Sequence, residues 1–345
     1  MSRPDPRVRL VDVARAAGVS KTTVSDALNG SGRLPDSTRD HVRETARRMG
    51  YRPNATARLL RAGHTRLLGL AAREYVETPW VYTDMAYFSQ LVTAGTRTAL
   101  THGYGVVLLP TTSPGDYWVN MPLDGVCVVD PVDGDPMVAD FLSAGVPVVS
   151  DRRALADQSS PLGRWVDFDY GAATRTVLDH LKSQGAARIV LISADSTASY
   201  NVESERAYRD WCAEHNLDAL VTKVSTPGPD RTRVPVDEAI AYRPDAIFTL
   251  AEVSPMLLLD AVRRAGRSVP EDLLLVCTTE DPAAAYTDPP LSTLSYLPRE
   301  TSEASIELLI DIIEGRKGLP GKLFDAHLEI RSSSRRSGAR VDLLA

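Results

Sequence analysis

Cysteine is scarce in this 345-residue chain: Cys127, Cys212 and Cys277 are odd in number and widely spaced. That pattern argues against a disulfide framework or a zinc cluster and fits a reducing compartment. Long apolar runs are missing as well. No stretch approaches the ~20 residues a membrane span needs, and the opening MSRPDPRVRL lacks the apolar core of a signal peptide. A cytoplasmic protein with no membrane partner is expected. Catalytic signatures are absent too, with no P-loop, no Gly-x-Gly-x-x-Gly and no Gly-x-Ser-x-Gly. The histidines, at 41, 64, 102, 180, 215 and 327, show neither metal spacing nor an acid partner nearby in sequence. Neither an enzyme nor a cofactor or metal is expected. Lysine is rare beside arginine, 5 against 34, which hints at a G+C-rich genome.

What is present reads as an ordinary soluble chain, 43% hydrophobic and 24% charged, long enough for two or three folded units. Its net charge of −6 conceals an asymmetry. Through Arg66 there are 14 basic and 6 acidic side chains, while the remainder carries 25 and 39. A basic head on an acidic body suggests that the head alone meets a polyanion. Charge by itself does not separate DNA from RNA or an anionic membrane.

The head has a readable pattern. Leu10, Val13, Ala14 and Ala17 share one helical face, and Gly18 stands where the chain must turn sharply. Ser20 is a good N-cap for a second helix from Lys21. That helix buries Val24 and Leu28 against Val13 and Val19 and turns Lys21, Thr22, Ser25, Asp26 and Asn29 outward. A third helix, about Ser37 to Met49, is amphipathic through Val42, Ala46 and Met49 and stops at Gly50. Two short helices around a glycine turn, closed by a third, make a helix-turn-helix.

These residues, Asp12-Val13-Ala14, Ala17-Gly18-Val19-Ser20, Thr23-Val24-Ser25, Leu28-Asn29 and Thr38-Arg39, continue into Gly50-Tyr51-Arg52-Pro53-Asn54 and Ala57 through Leu60. The run closely resembles the lactose/galactose repressor family of bacterial transcriptional regulators over about sixty residues. The resemblance implies that the second helix enters the major groove of double-stranded DNA, with Lys21, Thr22 and Asp26 toward base edges. Ser20, Thr23, Ser25, Asn29 and Thr38 are then placed for phosphates. It further implies a hinge helix from Asn54, whose Leu60 wedges into a minor-groove step. Ala57 lets two hinge helices approach, and Arg58 and Arg61 reach the backbone. Many relatives carry arginine where this chain has Asp26, so an unusual half-site is expected.

From Leu67 short apolar runs alternate with helical stretches. Strands are expected at 67–72, 105–110, 125–130, 147–151, 188–193, 246–250 and 273–279. Helices are clearest at 85–99, 173–181, 258–265 and 306–313. Continuous apolar strands alternating with helices mean parallel sheets covered on both faces. The Ser/Arg-rich tail after Ile330 is expected to fray.

The same family implies an α/β body of two periplasmic-binding-protein-like lobes behind the all-α head. Matching landmarks are Asp124-Gly125-Val126, Gly145 through Val149, Val269-Pro270-Glu271-Asp272 and Asp288-Pro289-Pro290-Leu291. The expected organisation is a headpiece at 1–53, a hinge and linker at 54–66, a two-lobed effector-binding and dimerisation domain at 67–335 and a tail at 336–345. Lobe crossings are expected near 165, 295 and 325. A small-molecule effector would lie beyond the strand carboxyl ends, between the lobes. Candidates to line that cleft are Phe88, Asp151, Arg152, Tyr200, Arg206, Glu252 and Glu280, whose carboxylates and arginines offer directional hydrogen bonds.

Ala251-Glu252 and Thr279-Glu280 depart from the Asn-Asp and paired Asp common in relatives, and point away from a standard pentose or hexose. The expected protein is a homodimeric repressor on a palindromic operator. A ligand-independent DNA-binding regulator stays open beside it. A transport-type solute-binding protein is disfavoured by the basic head.

Overall fold

The computed structural model describes residues 8–51, 64–73, 85–110, 118–132, 134–153, 160, 162–225 and 229–336. The chain divides into two units at Thr65 and Arg66. The first holds α1 (Leu10–Ala17), α2 (Lys21–Asn29) and α3 (Asp36–Arg48). Val13, Ala14, Ala17, Val24, Ala27, Val42 and Ala46 form its core. Ala27 is fully buried where Leu28 was expected, and Leu28 packs at the margin. Gly18 adopts φ +67° at the end of α1, the left-handed turn that lets α2 start at Lys21 behind its cap Ser20.

In the second unit, two six-stranded sheets make two lobes. The first runs β11-β5-β4-β3-β1-β2, from β1 (Leu67–Ala72), β2 (Gly105–Leu108), β3 (Gly125–Val129), β4 (Val148–Asp151), β5 (Gly163–Phe168) and β11 (Lys322–Phe324). All its pairings are parallel. The second runs β12-β10-β9-β8-β6-β7, from β6 (Ile189–Ala194), β7 (Leu220–Val224), β8 (Ala246–Thr249), β9 (Leu274–Thr278), β10 (Ser292–Ser295) and β12 (His327–Glu329). It is parallel except at β12, which pairs antiparallel to β10. The central strands β1, β3 and β8 are apolar and almost wholly buried because helices cover both faces.

The helices are α4 (Ala86–Thr101), α5 (Pro136–Ser143), α6 (Tyr170–Ser183), α7 (Ser199–Glu214), α8 (Pro229–Ala241), α9 (Pro255–Arg264) and α10 (Pro298–Ile313). The chain leaves the first sheet after Phe168, returns after Ser295 and passes over again between Phe324 and His327. The pass after Ser295 brings α10 and β11 back onto the first lobe, and the last one returns the chain to the second sheet at β12. On the first lobe Ser302 Oγ donates to Leu91 O across the α4–α10 contact at 2.8 Å.

Residues 331–336 do not fray. Ser333 and Ser334 are buried in a 3-10 turn, and Ser333 Oγ donates to Leu275 O at 2.8 Å. Ser334 Oγ is shared with Ser292 Oγ at 2.6 Å and His180 Nε2 at 2.8 Å. Hydroxyls that look solvent-loving in sequence here satisfy one another and sheet carbonyls. No helix among the described residues is long and apolar enough to cross a membrane.

The α4–α10 approach depends on Gly95, where an added Cβ would stand 2.5 Å from Ser302 Oγ and 3.4 Å from Ile306. Gly95→Val should therefore cost roughly 1–3 kcal/mol through overpacking, read as a lowered thermal midpoint. An unchanged midpoint would mean the two helices slide apart without penalty.

Candidate nucleic-acid interface and interlobe cleft

Ser20 caps α2 as its sequence position requires. Its hydroxyl accepts from Thr23 N at 3.0 Å and lies 2.9 Å from Thr23 Oγ1. With Val24 and Ala27 buried, the helix turns Lys21, Thr22 and Asn29 to solvent and leaves Thr23, Ser25 and Asp26 half-exposed. No acidic side chain sits in its first turn, so the positive end of the helix is unmasked. Thr38, half-exposed, lies in the first turn of α3.

Asp26 is not simply solvated: it accepts from Ser31 Oγ at 3.2 Å. Gly32, at φ +71°, packs so closely on it that a Cβ would stand 2.9 Å from its carboxylate. Asp26 thus braces the turn after α2. Asn54, Ala57, Arg58, Leu60 and Arg61 lie outside the described residues.

In the second unit a cleft of about 470 Å³ opens between the lobes at the carboxyl ends of the strands. The first lobe contributes Met85, Tyr87 and Phe88 at the start of α4, Asp130 after β3 and Arg152 after β4. The second contributes Tyr200 in the first turn of α7, Leu250 and Glu252 after β8, and Thr278 to Glu280 at the end of β9. Tyr296, on the return crossing, completes the lining.

Arg152 is the floor of this cleft. It is 5% exposed, and its Nη1 lies 2.6 Å from Asp130 Oδ1, which is itself buried. Its guanidinium stands 4.2 Å from the Tyr200 ring centre and 5.4 to 5.8 Å from those of Tyr87, Tyr170 and Tyr296. A cation held in an aromatic cage is stabilised by the ring quadrupoles as well as by its counter-ion. Asp130 and Arg152 both adopt left-handed backbone, φ +50° and +89°. Such conformations in non-glycine residues persist only when the surroundings hold them.

Asp151 sits behind Arg152, fully buried, and accepts from Tyr87 Oη at 2.9 Å. Burial pushes its carboxyl up to about 7, against the opposing pull of Arg152. The facing wall is acidic. Burial, then repulsion from Glu280 and Asp281, raises Glu252 to about 7. Glu280 is raised to about 7, chiefly by burial, although its Oε1 accepts from Ser295 Oγ at 2.7 Å and Tyr296 N at 3.1 Å.

Of the sequence-predicted cleft residues, Phe88, Arg152, Tyr200, Glu252 and Glu280 come together here, with Asp151 immediately behind. Arg206 does not. It is exposed on the outward side of α7, whose inward face is Tyr200, Asn201, Ser204, Ala207, Tyr208 and Trp211. Tyr87, Asp130 and Tyr296 were missed. Asp130 carried a usable signal, since it follows an apolar strand just as Asp151 does; Tyr296 carried none. Among the described residues no group of three or more His, Cys, Asp or Glu could hold a metal ion.

A family model for bacterial regulatory proteins of the lacI family matches residues 9–54, and one for the periplasmic binding protein-like domain matches 178–334. The chain is 28% identical to the HTH-type transcriptional regulator CelR of Thermobifida fusca, over 95% of this chain and 98% of that one. The chain belongs to the lacI family. It is 32% identical to RafR of Escherichia coli over 62% of this chain and 63% of the relative. A CelR–cellobiose complex matches its fold with a TM-score of 0.68 at 25% identity, over 95% of this chain and all of that one. A lac repressor dimer bound to operator and an anti-inducer matches with 0.75 at 19%, over 96% and 100%. This lacI-family chain is a DNA-binding transcriptional regulator, not an enzyme.

Two outcomes follow from the cleft. Arg152→Ala leaves Asp130 buried without its cation and should cost roughly 3–5 kcal/mol. Adding Asp130→Asn should recover part of that loss, and strictly additive losses in the double variant would show that the pair is uncoupled. Because Glu252 is raised in the folded state, its contribution favours folding below about pH 4.5 and fades as pH rises through 7. Glu252→Gln should accordingly raise the thermal midpoint at pH 8, with a gain that shrinks toward pH 5. A gain independent of pH would contradict the assignment.

Proposed function

We propose that this regulator represses transcription as a cytoplasmic homodimer on a palindromic operator, and that a small polar effector in the interlobe cleft alters its affinity for that operator. The observation that carries the reading is the pairing, within one chain, of a capped, outward-facing α2 with a cleft whose walls belong to different lobes. A single helix-turn-helix reads too few base pairs for specificity, whereas two-fold pairing matches a palindrome.

Within the proposed interface Lys21 and Thr22 meet base edges. Ser20, Thr23, Ser25, Asn29 and Thr38 hold phosphates, and Asn54, Ala57, Arg58, Leu60 and Arg61 form the hinge contacts. Asp26 acts through the α2 turn, and any base contact it makes requires it to keep or exchange its Ser31 bond. In the proposed organisation, 1–53 is the headpiece, 54–66 the hinge, 67–335 the effector and dimerisation domain and 336–345 the tail. The relatives support ligand control: one solved structure is a CelR–cellobiose complex, and another pairs the lac repressor with operator and an anti-inducer. A ligand that fits one arrangement of the lobes better than the other changes DNA affinity by a coupling of ~1–3 kcal/mol.

A second reading has one observation in its favour. Arg152 already fills the floor of the cleft with an internal cation, as a regulator independent of ligand could afford to do.

Selection of preferred sites from fragmented genomic DNA, followed by affinity measurements across salt concentrations, tests the DNA half. The expected outcome is a palindromic consensus bound with strong salt dependence. Lys21→Ala should lose about 1–3 kcal/mol on the consensus and less on random DNA. Binding without any enriched sequence would overturn the repressor reading, and sedimentation showing only monomer on the selected site would overturn the dimer.

A further inference from the structure

The chemistry of the effector can be read one step further, resting on the effector reading above. The cleft has two unlike walls. On the first lobe the cation of Arg152 is consumed by Asp130 and by the tyrosine cage, so it is not available to neutralise anything opposite. On the second lobe Glu252 and Glu280 both border the open space. Glu280 spends one oxygen on Ser295 and the Tyr296 amide, and Arg299 and Glu300 bear on it from α10 with opposite signs. Asp281 adds a further negative charge beside Glu252. Counting Asp130 and Asp151 against Arg152, the groups around the cleft are net negative.

A second, independent feature points at a ligand. Arg152 is only 5% exposed and its Nε, on the lining of the same cleft, meets no hydrogen-bond partner, while the buried Tyr296 hydroxyl has Ser204 beside it and room to accept a further bond. Buried polar atoms left without a partner are rare, and each costs free energy until something supplies one.

These features discriminate between ligand classes. An anion such as a sugar phosphate would face two carboxylates, with Arg152 already engaged by Asp130 and Arg299 offset by Glu300. A neutral sugar could meet Arg152 Nε and the Tyr296 hydroxyl but would leave the repulsion of Glu252 by Glu280 untouched. A cation relieves that repulsion and gains charge-assisted hydrogen bonds in a partly dry site.

We propose that the effector is a small hydroxylated amine, such as an amino sugar or an aminated polyol, whose ammonium rests against Glu252 and Glu280 and whose hydroxyls meet Arg152 Nε and Tyr296 Oη. Phe88 and Met85 supply the apolar side of the same space. Since both glutamates are raised to about 7, binding of the cation lowers them and releases protons near neutral pH.

The test is calorimetric titration and thermal unfolding of the full chain with matched ligands. Glucosamine, galactosamine and glucamine are each set beside glucose, galactose and sorbitol, with glucose 6-phosphate as the anion. At least one amine should bind about tenfold or more tightly than its hydroxyl counterpart, with proton release near pH 7 seen as a dependence of the heat on buffer. Glu252→Gln and Glu280→Gln should erase that preference while the free Glu252→Gln protein becomes more stable at pH 8, which separates lost recognition from lost folding. Tighter binding by a neutral sugar or by the phosphate would overturn the amine assignment and leave the effector reading standing. If no compound of the three classes shifts the midpoint or changes operator affinity, the effector reading falls with it.

Discussion

A buried guanidinium is costly unless counter-charge and hydrogen bonds surround it, and the two-lobed unit is arranged around one such group. Arg152 extends from the end of β4 in the first lobe, takes its counter-ion from Asp130 at the end of β3, and stacks among tyrosines that belong mostly to the other lobe or to the crossing. Neighbouring Arg153 reaches across as well, bonded to Asp167 at the end of β5 and 4.0 Å from Glu203 on α7, with its guanidinium over Trp165. Two adjacent arginines thus tie the first lobe to the second on either side of the crossing. The left-handed backbone of Asp130 and Arg152 is the local cost of aiming those side chains into the interior.

The parts of this fold that bury continuous apolar sequence are legible in the sequence alone. β1, β3, β4, β6, β8 and β9 read as apolar runs, and α1 to α4 read by periodicity, because in each a simple hydrophobic pattern and the buried face coincide. Elements whose buried face is polar did not read. β10 is Ser-Thr-Leu-Ser, yet it is almost wholly buried: Ser292 is met by the 3-10 turn at 332–334, Thr293 accepts from Arg331 and Ser295 donates to Glu280. α7 keeps a regular inward face, but Ser199, Asn201 and Ser204 occupy it, so no amphipathic stripe announces it. Asn201 there bonds Ala194 N, Ala194 O and Ser196 O, bracing the loop that delivers Tyr200 to the cleft. Arg206 was misplaced for the same reason: without a phase for α7, a charged residue near the cleft could not be told from one on its back.

The cleft itself was half legible. Residues that follow apolar strands, Arg152, Glu252 and Glu280, were found because parallel sheets present their carboxyl ends to ligands. What sequence could not supply was that Arg152 meets an aromatic cage rather than open solvent, since the four rings come from positions 87, 170, 200 and 296. Only the parallel sheets and the return crossing bring them within reach of one side chain. The head shows the same division. Its helices and the Ser20 cap were local, whereas the role of Asp26 as a brace for Ser31 and Gly32 depends on a turn whose path no spacing rule specifies.

The two parts of the chain carry net charge of opposite sign. The first 66 residues are strongly basic and the rest strongly acidic, so phosphate contact is favoured on one unit and opposed on the other. At physiological salt such fields fade within about 8 Å, which confines their effect to what each unit touches directly. For the head that is a polyanion. For the cleft, where low dielectric prolongs the reach of Glu252 and Glu280, it is the small molecule that enters. An acidic surface and an acidic cleft are therefore separate facts. The first limits where DNA can bind, while the second acts only over a few ångströms and selects what the lobes can close upon.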